Sequence, residues 1–283
     1  MSELAAVVVN YNSGAFLERC LASIRAAPGG EGTEIVVVDN ASSDDSAERA
    51  VRAHPATRLV ANPSNRGFAA AANQGIAATK ASYVLLLNPD AEIVAGSLDS
   101  AVKVAEEHPR AGVIGLLVRN PDGTLQPSAR KVPSLAEALG HAFVGPFAPN
   151  NRWSRAYTMA GWDRTSEREV EWVSGSAMLV RRNAFEEVGG FDQAYFMYVE
   201  DVDLCTRLRS RGWSVLFTPE VEVIHETGVS SRARFRRLAF EHSRSIYRYF
   251  SLHRARGPAV LLKPFVRTAL WARALLTGRR TRR

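Results

Sequence analysis

The sequence predicts an α/β fold, a mostly parallel sheet flanked by helices, with a basic helical extension at the C-terminus. Three observations predict it. Apolar, β-branched runs of strand length, Ala5 to Val9, Ile35 to Val38 and Tyr83 to Leu87, alternate with segments of helical periodicity. Each run ends in a polar loop (Asn10 to Gly14, Asp39 to Ser43, Asn88 to Ala91), and right-handed crossovers gather such loops at one sheet edge. Charge is also segregated: residues 232–283 hold 15 Lys or Arg against one acid, Glu241, whereas residues 1–231 hold 21 basic and 28 acidic residues, a net of −7.

Taken in order, Ala5 to Val9 is the first strand, and Phe16 to Ile24 follows with apolar residues at helical spacing. Ile35 to Val38 is the second strand, Ser46 to His54 a short alanine-rich helix, and Leu59-Val60 part of a third strand. Ala69 to Thr79 predicts a helix, Tyr83 to Leu87 a buried strand, and Gly112 to Val118 another, before a Pro- and Gly-punctuated stretch from Asn120 to Ser134. Residues 135–170 predict a helix and a mobile loop. Trp172 to Val180 resumes as a strand, and Asn183 to Val188 makes a short helix stopped by Gly189-Gly190. Asp201 to Arg211 predicts a helix ended by Gly212, Val215 to Thr218 and Val221 to His225 two strands, and 232–250 and 258–277 two helices.

With 283 residues, 46% of them hydrophobic, the chain can bury a substantial core. Cys20 and Cys205 stand far apart without paired spacing, which argues against a disulfide framework and for a reducing cytosol. The N-terminus has no basic segment ahead of its first strand, so neither signal peptide nor export is expected.

The strand-end loops carry the residues suited to chemistry. Asp39-Asn40-Ala41-Ser42-Ser43 can offer a carboxylate to a base imide N–H and hydroxyls to a ribose, although an Asx-turn capping the next helix would use the same residues. Its register with Asn10-Tyr11-Asn12 favours a nucleoside pocket. Asn65-Arg66-Gly67, with Asn73 downstream, supplies a guanidinium, a close-approach glycine and a helix start, parts suited to phosphates or equally to a plain surface helix. Asp90, in Asn88-Pro89-Asp90, can give a hard oxygen ligand to Mg²⁺ or Mn²⁺, and His225 a nitrogen, though a lone His after a strand is more often structural. Glu200 and Asp201 are either first-turn acids or hold a general base that takes the proton of an attacking hydroxyl; Asp203 then supports the helix start.

Together, Val7 to Asn12, Val36 to Ser43, Asn65 to Phe68 with Asn73 to Gly75, Leu87 to Asp90, Gln126 to Arg130, Trp172 to Gly175 and Gly189 through Asp203 resemble the family 2 glycosyltransferases of the Rossmann-like GT-A fold, in particular the bacterial rhamnosyltransferase-like members. The resemblance implies an inverting transferase, with a divalent cation as cofactor and a nucleotide-diphosphate sugar as donor, deoxythymidine-diphosphate-L-rhamnose first among candidates. It implies that Asp39 recognises the base, Asp90 is the metal-binding member of a DxD-like motif, Asp201 is the catalytic base with Glu200 beside it, and His225 is a metal ligand. Asn10, Tyr11, Asn12, Asn40, Ser42, Arg66, Gly67, Asn73 and Asn88 are expected on the donor side, and Trp172 and Gly175 near the transferred sugar or acceptor. Asn88 departs from the first Asp of the usual motif. Arg130 is expected on the donor phosphates or the acceptor, and 135–170 is expected to close over both.

The expected organisation is a catalytic domain over residues 1–231, divided near 118 into a donor half and an acceptor half, and the extension over 232–283. Within 258–277, Lys263, Arg267 and Arg273 interrupt an apolar pattern that includes Phe265, Leu270 and Trp271, a poor transmembrane helix and a good interfacial one. With the terminal Arg cluster, this predicts peripheral contact at the inner face of the cell membrane, fitting a polyprenyl-linked or glycan acceptor. The alternative is a helix packed on the catalytic domain or on a second copy of the chain. Competing functions are a uridine-diphosphate hexose or N-acetylhexosamine transferase, a non-catalytic sugar-nucleotide binder, and a nucleic-acid binder. The last is disfavoured because acidic cleft residues repel phosphate and no recognition motif accompanies the basic tail.

Overall fold

The computed structural model describes residues 3–134, 137–138, 140–141, 144–145, 148, 150–226 and 235–277. β1 (Leu4–Asn10) is buried along its whole length, as an Ala/Val-rich strand covered on both faces requires. It pairs in parallel with β2 (Glu34–Asp39) and β4 (Tyr83–Leu87), and β3 (Thr57–Ala61) adds to β2 in parallel. Asn10 stands opposite Asp39 in this ladder, so the polar residues that end the strands lie side by side. β10 (Ala177–Arg181) then inserts antiparallel between β4 and β6 (Ala111–Arg119). β11 (Ser214–His225) follows parallel to β6, and β5 (Ala91–Gly96) pairs antiparallel with β11.

Helices cover both faces. α1 (Phe16–Ala26), α2 (Ser46–Ala53) and α4 (Leu98–Glu107) share one core layer with the sheet, while α3 (Phe68–Ala77), α6 (Arg182–Glu187) and α7 (Glu200–Ser210) share the other. The alanines of α3 let it lie close on β1, and Gly75 is the closest approach: a Cβ there would collide with a Val7 methyl. The chain ends in α8 (Phe235–Tyr249), a π-helical turn (Phe250–Arg254), a 3-10 turn (Gly257–Leu262) and α9 (Lys263–Thr277).

The structure departs from the sequence expectations at several points. It adds β5 and α4, whose residues carry no assignment above, although Ser97 accepts from Asp99 N as an ordinary helix cap. The strand expected over 172–180 is two: β9 (Trp172–Val173) pairs with β7 (Ala129–Arg130), and the chain turns at Ser174–Ser176 before β10 begins. The two strands expected over 215–225 are one, bulged where Pro219 cannot donate to the ladder. The helix expected over 258–277 is divided by Pro264 into the 3-10 turn and α9. Between 150 and 170 the chain is packed: α5 (Arg152–Thr158) is capped by Asn151, Trp162 meets Phe217 edge-on at 4.8 Å, and the Arg164 side chain is buried. Part of 135–149, the start of the helix expected from 232, and the terminal Arg cluster lie outside the described residues.

Candidate active site

At the carboxyl edge of β1 and β2, Asn10 is fully buried, and its Nδ2 reaches Asp39 Oδ1 (2.8 Å), Ser46 Oγ (2.9 Å) and Ser42 Oγ (3.1 Å). Ser42 donates to Asp39 through its hydroxyl (2.5 Å) and its backbone N (3.1 Å). Asn12, at φ 51°, accepts from Ser43 N (2.6 Å) and Ser43 Oγ (3.2 Å), and Tyr11 stands between, half-buried. These residues therefore fix the Asp39 carboxylate, whose two oxygens accept from Asn10 and Ser42, at the strand ends.

Asn40 holds the next loop. Its amide donates to Asn65 Oδ1 (3.0 Å) and Gly67 O (3.2 Å) and accepts from Arg66 N (3.0 Å) and Asn62 Nδ2 (3.3 Å). Gly67, at φ 82°, is needed because a Cβ there would run into the Phe196 carbonyl. Arg66 is exposed on the same loop. Asn73 goes elsewhere, clasping the Phe191 backbone through Nδ2 to O (2.8 Å) and Oδ1 from N (2.9 Å). Asn40, Gly67 and Asn73 are thus scaffold, because their polar groups or close approaches are spent within the protein.

After β4, Asn88 N donates to Ser176 O (2.9 Å) and Glu226 N to Asp90 O (2.9 Å), so the β5–β11 pairing carries His225 to Asp90. Gln126 Nε2 donates to His225 O (2.8 Å) and Asn120 Oδ1 (2.8 Å), which leaves Gln126 Oε1 to accept from His225 Nδ1 at 3.1 Å. With Nδ1 turned to Gln126, Nε2 faces Asp90 Oδ1 (3.2 Å) and Asn88 Nδ2 (3.2 Å). Asp90 and His225 are both nearly buried, at 9% and 8% exposure, so a carboxylate oxygen and an imidazole nitrogen meet where few waters reach.

The third part is the start of α7. Asp201 Oδ2 accepts from Gly175 N (3.0 Å) and Oδ1 from Val202 N (2.8 Å). Ser174–Ser176 thereby connects Asp201 to the Asn88 loop. Burial pushes the Asp201 carboxyl up, and the two backbone N–H groups and the Arg130 charge oppose it. Glu200 is buried with Oε2 unpartnered, and burial, then the Asp201 charge, pushes it well above the usual carboxylate range. The environments separate the pair: Glu200 is pushed further up than Asp201, which alone of the two has backbone N–H donors, so Asp201 is the one that gives up its proton first. The Arg130 guanidinium lies against the Tyr157 and Trp172 rings, 5.1 Å from each centroid. Trp172 is itself buried and gives its indole N–H to Lys131 O (3.1 Å), so it supports Arg130 rather than presenting a face to a sugar.

The family model described as glycosyl transferase family 2 matches residues 5–189, and the one described as glycosyl transferase family group 2 matches 135–278. The N-acetylglucosaminyl-diphospho-decaprenol L-rhamnosyltransferase of Mycobacterium tuberculosis is 41% identical over 239 residues, 81% of this chain and 77% of that protein. The chain is a family 2 glycosyltransferase. The rhamnosyltransferase WbbL of Escherichia coli is 33% identical over 173 residues, 61% of this chain and 62% of that protein. Among solved structures, GalNAc-T7 with UDP, GalNAc and Mn²⁺ superposes with a TM-score of 0.61 at 15% identity, covering 95% of this chain and 54% of that one. The mannosyltransferase PcManGT of Pyrobaculum calidifontis, in complex with GDP-Man and Mn²⁺, gives 0.57 at 17% identity, covering 97% and 73%. The transferase has the GT-A fold.

Three contributors to the transferase's site receive no role from sequence reasoning: Gln126, which lies in the Gln126 to Arg130 segment and orients His225; Tyr157, which covers Arg130; and Ser176, whose carbonyl holds Asn88. Gln126 stands in a Pro-rich stretch, and nothing local pairs it with a histidine in another strand. A carboxyl whose folded pKa is raised contributes stability that is full below its unfolded pKa and is lost as pH rises through its folded pKa. Glu200→Gln removes that loss, so the variant should melt above the wild type by a margin that widens with pH. Thermal melts of both proteins from about pH 5 to 9 measure it, the window above the unfolded Glu value; a margin that stays flat would mean Glu200 is not a buried ionisable acid.

Proposed function

We propose that this glycosyltransferase moves L-rhamnose, with inversion, from its deoxythymidine-diphosphate donor to an N-acetylglucosaminyl-diphospho-polyprenol acceptor in cell-envelope glycan synthesis. The observation that carries the reading is the 41% identity to the mycobacterial rhamnosyltransferase over most of both chains. The arrangement of Asp39, Asp90, His225 and Asp201 supports it. Incubating the protein with a panel of nucleotide sugars and a short-chain prenyl-diphospho-N-acetylglucosamine tests it. Transfer of rhamnose is expected; preferential transfer of a hexose from a uridine-diphosphate donor would replace this reading with the sister activity.

Asp39 would receive the base, and Arg66 would approach the diphosphate from its exposed loop. A divalent cation fits at Asp90 and His225: a carboxylate oxygen and an imidazole lone pair converge there, and an oxygen–nitrogen pair suits Mn²⁺ somewhat better than Mg²⁺. When bound, such an ion supplies charge neutralisation for the diphosphate. Asp201 accepts the proton of the acceptor hydroxyl, whose oxygen forms the bond to the anomeric carbon as the bond from that carbon to the diphosphate oxygen breaks, and the diphosphate leaves with the electron pair. Burial raises the Asp201 carboxyl, and Arg130, within electrostatic reach, works with the two backbone N–H groups to favour its ionised form.

No helix among the described residues is long and apolar enough to cross a membrane. The C-terminal extension nevertheless exposes Leu261 (76%), Phe265 (74%), Trp271 (57%) and Leu275 (49%) beside Lys263 and Arg267. Exposed aromatic and aliphatic side chains among cations suit an anionic bilayer surface, where each buried apolar side chain contributes roughly 1.5–3 kcal/mol. In this reading the transferase lies against the cytoplasmic leaflet, where a polyprenyl acceptor would be anchored. Flotation with phosphatidylglycerol vesicles should carry the wild type, and Phe265→Glu with Trp271→Glu should abolish it. If the double variant instead converts a dimer to a monomer and the wild type never floats, the surface belongs to a second copy.

A further inference from the structure

The catalytic pair is reached through two consecutive left-handed residues, Tyr198 and Val199, both at φ 70°. For a β-branched residue this conformation is strained and persists only where the surroundings hold it. On one side the loop is held by Phe68 N, which donates to Phe196 O (2.8 Å). The other side is held by α8. Ser245 Oγ donates to Met197 O (3.0 Å), Arg248 grips Asp192 Oδ2 through Nη2 (2.6 Å) and Nε (2.9 Å), and His242 meets the Tyr198 ring at 5.1 Å.

The π-helical turn after α8 reaches α7 itself. Asp203, two residues beyond Asp201, is completely buried, and its Oδ1 accepts from His253 Nε2 (2.7 Å) and Tyr195 OH (3.3 Å) while Oδ2 accepts from Arg207 Nε (2.7 Å). Burial opposes the Asp203 charge, but His253 and Arg207 outweigh it and hold the carboxyl below its ordinary range. Tyr249 OH and Thr206 Oγ1, 2.9 Å apart, add a second tie between the extension and α7.

We propose that the C-terminal extension positions the catalytic base, with His253 as the positioning residue: its bond to Asp203, with Ser245 and Arg248 on the preceding loop, fixes the first turn of α7 and so aims Asp201. The inference rests on the transfer reaction proposed above. Without the clasp, the loop is free to relax from the left-handed conformation, and the first turn of α7 rotates with it. His253 spends Nε2 on Asp203, so its tie to the catalytic base runs through that carboxylate. The segment that holds the base is continuous with the segment that exposes Leu261, Phe265 and Trp271, so lipid contact and base alignment belong to one structural unit.

The test compares the full-length wild type, His253→Leu and His253→Gln, with rhamnose transfer to the short-chain prenyl-diphospho-N-acetylglucosamine as the assay. His253→Leu should lower kcat by about 10- to 100-fold with donor KM and donor dissociation constant within about a factor of two of wild type, since a small misplacement of a catalytic group costs rate rather than donor affinity. His253→Gln, which keeps an N–H for Asp203, should recover most of the loss. Hydrogen exchange should quicken at residues 196–204 in His253→Leu and return toward wild type in His253→Gln. Wild-type kcat in His253→Leu overturns the proposal, as does equal loss of kcat and donor binding in both variants, which would mean general unfolding. Unchanged exchange at 196–204 overturns it whether or not the wild type transfers sugar. A wild type that transfers no rhamnose, with exchange altered as expected, counts against the transfer reading and leaves the clasp supported.

Discussion

Asp201→Asn should lose about 10²- to 10⁴-fold in kcat, the usual contribution of a positioned general base, while donor affinity remains near wild type. The amide keeps the shape of the side chain and one acceptor for Gly175 N or Val202 N, so the helix start should persist. On the proposed mechanism, what is lost is the ability to take a proton from the acceptor hydroxyl. Because burial raises the Asp201 carboxyl, the acid limb of the wild-type rate profile should lie above the ordinary carboxylate range: activity falls as pH drops through the folded pKa and Asp201 becomes protonated. Stopped assays of sugar transfer across pH measure both effects. An Asp201→Asn variant with undiminished kcat would transfer the base assignment to another group, and Glu200, buried with an unpartnered oxygen, is the adjacent one.

Asp90→Ala should be nearly as severe. Charge accumulates on the leaving diphosphate as the glycosidic bond breaks, and removing one element that stabilises such charge commonly costs about 10²- to 10³-fold. Here kcat/KM should fall by that order and the stimulation by added Mn²⁺ or Mg²⁺ should vanish, whereas chelation of the wild type should reproduce the defect and metal should reverse it. Gln126→Leu offers a graded companion. It removes the acceptor that holds the Nδ1 proton of His225, and loss of a group that orients a ligand typically lowers metal affinity by about 10- to 100-fold. Titration calorimetry of Mn²⁺ with nucleoside diphosphate would register that change independently of turnover. Metal-independent activity in both variants would mean that Asp90 and His225 form only an internal ion pair.

The strand-end loops were legible because short-range pattern reports them directly. An apolar run that stops at a polar residue marks where a strand leaves the core, so the pattern alone puts Asn10, Asp39 and Asn88–Asp90 at one edge. Their individual duties were less legible. Asn10, Asn12, Asn40 and Ser42 have the composition of ligand-binding residues, yet each spends its polar groups on a neighbouring loop, because a buried amide or hydroxyl without a partner costs about 1–3 kcal/mol. Asn73 shows the same physics farther from the cleft, where its amide substitutes for a strand partner of Phe191.

The alternation of apolar runs with helical spacing, the turn residues after each run, and the acids of Glu200-Asp201-Val202-Asp203 together determined the α/β class, the edge that carries the site and the residues that bear its charge. Those features depend on neighbours within a turn or a strand, which periodicity records. Only the tertiary structure decided that β5 would carry Asp90 against His225, that Gln126 would meet the histidine's Nδ1, that Asp201 would find two backbone donors while Glu200 Oε2 found none, and that His253 would close on Asp203. Each of these is a meeting of groups distant in the chain. Burial pattern says which side of an element faces inward but not which partner it meets there, and the protonation of a buried acid is set by that partner's charge and by the water it excludes.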